Sequence, residues 1–150
     1  MDRVDYVDTF IAIADDSTAT EATAPPSAQA NPSVAVRMFG LVAPHPYRFT
    51  SGDVIFAVFA DRHGIAEQER SAAREAFYSR SQACLRASEL GKRYGWGIHA
   101  DACARIALVG VETPAYAEFV SGRRLSDSGA PIKLTRAMRG SRAPSSRAPR

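Results

Sequence analysis

Residues 53–60 read D-V-I-F-A-V-F-A, an almost unbroken apolar run dominated by Val, Ile and Phe. Such a run predicts a strand buried on both faces, with the other elements laid around it. With Phe10–Ala14 it is the longest apolar stretch in the chain, far short of the roughly 20 residues that cross a bilayer, so no membrane partner is expected. The 150 residues, 45% hydrophobic and 23% charged, suit a single globular domain. A chain of this size can bury about two-thirds of its unfolded surface without a disulfide or a metal.

The other strands follow from period two and β-branched content. Val7–Ala14 and Val34–Val42 read as strands. Tyr94–His99 and Arg105–Val111 read as a hairpin around Asp101–Ala104, with the Asp101 side chain capping the turn. Ile132–Leu134 reads as a last strand. Helical spacing runs from Ile65 to Arg80. A short helix is announced by Thr113 as N-cap, Pro114 at the first helical position and Gly122 past the end. The expected architecture is α+β, a mostly antiparallel sheet of about five or six strands with two helices, in one domain over 1–139. Residues 15–33, rich in Ala, Thr, Ser and Pro, read as a flexible loop, and 140–150 as a disordered basic tail.

The net charge of +3 belongs to the last fifteen residues, which hold five of the 19 basic residues: Arg136, Arg139, Arg142, Arg147 and Arg150. The tail holds no aromatic ring for base stacking, so nucleic acid is not the expected partner. An interaction module using the tail stays open as an alternative. The acidic N-terminus lacks a signal-peptide pattern, and the cytoplasm is the expected compartment. Cys84 and Cys103 fit no zinc spacing, and neither a P-loop nor a G-x-S-x-G motif occurs, so no metal or cofactor is expected.

Residues 84–101 read C-L-R-A-S-E-L-G-K-R-Y-G-W-G-I-H-A-D and concentrate chemistry. Arg86, Lys92 and Arg93 fall beside Tyr94, Trp96 and His99, with Gly91, Gly95 and Gly97 baring the backbone. Cations for charge, rings for stacking and free N–H groups are what an anionic or planar ligand requires. The six side chains are the candidate ligand-binding set for a small anionic ligand. Cys84 and His99 are the candidate catalytic groups of an alternative enzyme reading. His99, Asp101 and Cys103 alternate as metal ligands on a strand would, but the turn expected at Asp101 breaks that register.

The motifs C-L-R-A-S-x-L at 84–90, K-R-Y-G-W-G-x-H-x-D at 92–101, T-F-I-A at 9–12, P-Y-x-x-T at 46–50 and A-M-R at 137–139 resemble those of small, mainly bacterial proteins. The family is domain-of-unknown-function family 6157, and the likeness runs from about Tyr6 to Arg142. It implies no activity. The chain departs from the expected pattern at Asp16-Ser17-Thr18 and Ala22, where relatives are expected to carry Asp-Cys-Pro and then a glycine. It departs again at Ala104, where a turn glycine is usual.

Overall fold

The computed structural model describes residues 1–27 and 30–140. The basic tail expected from the sequence lies, from Ser141 onward, outside the described residues. In chain order the elements are β1 Thr9–Ala12, α1 Val34–Val42, α2 Ser51–Arg62, a 3-10 turn Glu67–Glu69 running into α3 Arg70–Tyr78, a second 3-10 turn Leu85–Ala87, α4 Glu89–Lys92, β2 Trp96–Ala100, β3 Ile106–Gly110, α5 Pro114–Ser121 and β4 Lys133–Arg136. The four strands form one sheet in the order β3-β2-β1-β4. β2 pairs antiparallel with both β1 and β3, and β4 closes the far edge parallel to β1. The fold is α+β around a mostly antiparallel sheet. Among the described residues it has four strands and five α-helices, where the sequence suggested five or six strands and two helices.

Two expected strands are helices. Residues 34–42 form α1, started by Ser33, whose hydroxyl accepts from the Val36 N–H at 3.2 Å. Its buried residues Ala35, Met38 and Val42 stand at i, i+3 and i+7, one helical face. The run at 53–60 lies inside α2, which opens with a reciprocal capping box: Thr50 Oγ1 accepts from the Asp53 N–H, and an Asp53 oxygen accepts from the Thr50 N–H, each at 3.1 Å. The helix is apolar nearly all round because it packs on two sides. Val54 and Val58 join the core on the sheet, while Phe56 and Phe59 meet Phe77 of α3 at ring separations of 5.7 and 4.5 Å. A helix covered on both sides shows no polar face, so its periodicity imitates that of a buried strand.

Strand alternation divides the interior into two cores. Ile11, Ile98, Ala100 and Ile106 face α1, α2 and α4, together with Met38, Val54, Leu85 and Leu90. Phe10 and Ala12 face the other way with Tyr116 and Phe119 of α5. Tyr116 adds a polar tie, its hydroxyl accepting from the Ile13 N–H at 2.9 Å. Burial of such side chains stabilises by roughly 1.5–3 kcal/mol each before chain entropy is counted.

Residues 15–27 carry no regular structure but are held at the end of the sheet where β2 begins and β3 ends. Ala22 N–H donates to Glu112, and Thr23 N–H donates to the Tyr94 carbonyl at 3.0 Å. The Trp96 indole N–H donates to the Thr23 carbonyl at 2.9 Å.

Candidate functional site

The six expected ligand residues do not surround one space. Trp96 begins β2 and lies on the helical face, half-buried against Phe39 at a ring separation of 5.5 Å. Tyr94 packs against the same core. His99, three residues after Trp96, falls on the opposite face and is 8% exposed. The Arg86 side chain is spent on structure: its Nε donates to the Arg136 carbonyl at 2.6 Å, and its own carbonyl accepts from Met138. Arg93 pairs with Glu89 one helical turn earlier. Of the six, Lys92 and Arg93 border one recess, about 360 Å³, with Asp16, Ser17, Thr18 and Gly140.

The glycines explain why the segment looked like a binding loop. They do admit close neighbours, but the neighbours are this protein's own chain. A Cβ at Gly95 would stand 2.7 Å from the Glu21 carbonyl oxygen, and its φ of +79° is one that favours glycine. A Cβ at Gly97 would meet the Phe10 ring at 2.5 Å and the Tyr116 ring at 2.9 Å. The two positions let a surface segment pass on one face and aromatic rings on the other.

Cys84 stands elsewhere, at an apolar cleft of about 400 Å³ between α1, α2, α3 and residues 82–89. Val34 and Met38 line it from α1, and Phe77 from α3. From α2 come Ile55, Val58, Phe59 and Arg62, spaced i, i+3, i+4 and i+7. Ser88 closes one wall, with its hydroxyl 3.6 Å from the Met38 sulfur. The thiol is half-buried, and its Sγ is 3.1 Å from the Tyr6 hydroxyl. Burial, followed by the hydrogen bond to Cys84, pushes Tyr6 up to about 12. The Tyr6 hydroxyl is therefore protonated through the neutral range and able to donate.

Arg62 is the residue at this cleft that sequence reasoning missed. Among the described residues its guanidinium has no hydrogen bond and no ion pair, whereas Arg70, Arg74, Arg93 and Arg136 each have an acidic partner. The signal was present as the helical spacing of Ile55, Val58, Phe59 and Arg62. It was lost when the unbroken apolar run was read as a strand buried on both faces.

His99 and Tyr47 form a separate pair. The Tyr47 hydroxyl is 2.7 Å from His99 Nδ1, and the imidazole also packs on Phe119 at 4.5 Å. Burial, then the charge of Arg124, lowers the His99 pKa against the opposing pull of Asp101, Asp8 and Asp127. Asp101 caps the hairpin turn as expected, one carboxylate oxygen accepting from the Cys103 and Arg105 N–H groups at 2.9 and 3.0 Å. Ala104 follows with φ of +66°, the conformation for which a glycine is usual.

Among the described residues no helix is long and apolar enough to cross a membrane. Comparison with curated proteins and with solved structures finds no match. Residues 1–143, which include every motif above, match the family of unknown function DUF6157, and the chain belongs to that family.

Proposed function

We propose that the protein binds a small amphipathic acid in the cleft beside Cys84, the apolar or planar body lying among Met38, Val58, Phe59 and Phe77 and the anionic head meeting Arg62. The observation that carries this reading is the uncommitted Arg62 guanidinium on a mainly apolar cleft, whose one acidic lining residue, Glu89, is paired with Arg93. At about 400 Å³ the cleft is within the size range of small-molecule sites, and mostly apolar walls with a few polar groups are their usual make-up. A planar guanidinium suits a carboxylate or phosphate, which it can hold through two parallel hydrogen bonds. This keeps the ligand class expected from the sequence and moves the site from the set Arg86, Lys92, Arg93, Tyr94, Trp96 and His99 to residues 82–89 and α2. Two free cysteines accord with a reducing cytoplasm as the place of action.

The test is a thermal-shift and calorimetric screen of aromatic and medium-chain carboxylates beside their primary amides. Binding to the folded state raises Tm by mass action. Acids are expected to stabilise more than amides, and Arg62→Gln to remove the difference. Ala87→Trp, which fills the cleft from its wall, is expected to abolish both responses. A flat response to every acid, or Arg62→Gln binding acids as tightly as the parent, would refute the reading.

The Tyr6–Cys84 contact favours a second reading, an enzyme with the Cys84 thiol as nucleophile and Tyr6 as its hydrogen-bond partner. Iodoacetamide labelling of the native protein separates the two. Alkylation faster than that of a free thiol supports nucleophilic use, and slower alkylation leaves Cys84 as a wall residue.

A further inference from the structure

The three non-glycine residues with left-handed backbone among the described residues are Asp8, Tyr47 and Ala104, with φ of +46°, +61° and +66°. Two of them lie beside His99, and the third closes the adjoining hairpin turn. Tyr47 holds the ring through Nδ1, Asp8 borders a recess beside it, and Ala104 closes the turn whose Asp101 borders the same recess. Such conformations are costly and persist where the surroundings over-determine them. The recess is small, about 40 Å³.

Its lining is rich in uncommitted acceptors. His99 is 8% exposed, and only its Nδ1 has a partner among the described residues, leaving Nε2 open. The Asp8 and Asp127 carboxylates border the recess and have no hydrogen bond or ion pair among the described residues. Asp101 is occupied with its turn. Arg124, the one cation at the rim, lies 4.8 Å over the Phe119 ring and 3.9 Å from Glu118.

We propose that this recess binds a primary ammonium group, the head of a small amine, with His99 Nε2 and the carboxylates of Asp8 and Asp127 as its acceptors. Such binding requires the tautomer in which Nδ1–H donates to the Tyr47 oxygen, which leaves the Nε2 lone pair for the ammonium. Burial and Arg124 favour the uncharged imidazole that this requires, while Asp8, Asp101 and Asp127 oppose them. Three N–H donors match three acceptors, and a quaternary ammonium is too large and has no donor. The site lies on the α5 face of the sheet, away from the cleft at Cys84, so it stands or falls independently of the function proposed there.

The test is an NMR titration of the His99 imidazole in the full chain, its signal assigned by its loss in His99→Gln. Methylammonium chloride is added at constant ionic strength, with tetramethylammonium chloride as the control. Methylammonium is expected to shift the His99 signal saturably and to lower its pKa, and tetramethylammonium to do neither. Asp127→Asn is expected to weaken methylammonium about tenfold, the loss of one charge-assisted contact. No saturable shift in the parent protein, or the same shift from both cations, overturns the proposal whatever the variants do.

Discussion

Trp96 and His99 stand three residues apart on one strand and face opposite sides of the sheet, Trp96 toward Phe39 and His99 toward Phe119. A strand separates any two of its residues in this way when their spacing is odd. A motif that looks like one chemical cluster in the linear chain is thereby divided between two environments. The indole holds down the Thr23 carbonyl, and the imidazole shares a hydrogen bond with Tyr47.

Gly97→Ala is expected to destabilise the protein by about 1–3 kcal/mol, the usual cost of overpacking. The new methyl would press on Phe10, which is 0% exposed and has nowhere to move. Urea unfolding of the two proteins, read by circular dichroism, measures it. An unchanged midpoint would mean that the Phe10 and Tyr116 rings yield freely.

Thr50→Ala is expected to cost about 1 kcal/mol, the common value for a lost N-cap. It removes the acceptor for the Asp53 N–H at 3.1 Å while leaving the rest of the box in place. Thr50→Ser keeps the hydroxyl and is expected to recover most of the loss in the same denaturation experiment.

Asp101→Ala is expected to cost about 1–3 kcal/mol, since it strips one acceptor from two N–H groups of the hairpin turn. Asp101→Asn retains an acceptor and is expected to lie between the parent and the alanine variant. Faster amide exchange at Cys103 and Arg105 would locate the damage.

Stability is expected to fall as the pH drops below the ordinary histidine value of about 6.5. The folded state lowers the His99 pKa, chiefly by burial. The unfolded chain therefore takes up the proton first, and stability present above its pKa is lost on acidification toward the folded value. Urea midpoints between neutral and mildly acid pH test this, with His99→Gln as the reference. A parent and variant that decline in parallel would assign the effect to other groups.

How far the fold could be read ahead depended on the kind of signal. Thr113, Pro114 and Gly122 delimited α5 correctly because N-cap, fixed φ and left-handed C-cap are properties of a few neighbouring residues. Asp101 marked its turn for the same reason. α1 and α2 were missed although Ser33 and the Thr50–Asp53 box were present, because weight was given to apolar spacing. The candidate site was less legible still. Cys84 was noticed, but Arg62 and the α2 wall became recognisable only once residues 51–62 were known to be helical.

The amino-acid sequence alone determined the family, the α+β class, the hairpin around Asp101 and the absence of a bilayer-length apolar run, since each is written in local composition or short motifs. Only the tertiary structure decided that the helices beneath the sheet create an apolar cleft at Cys84, and that Gly95 and Gly97 receive the protein's own chain. A glycine declares that something comes close without saying what. Its partner, whether Glu21 or Phe10, is chosen by contacts across the whole fold, which spacing along the chain does not encode.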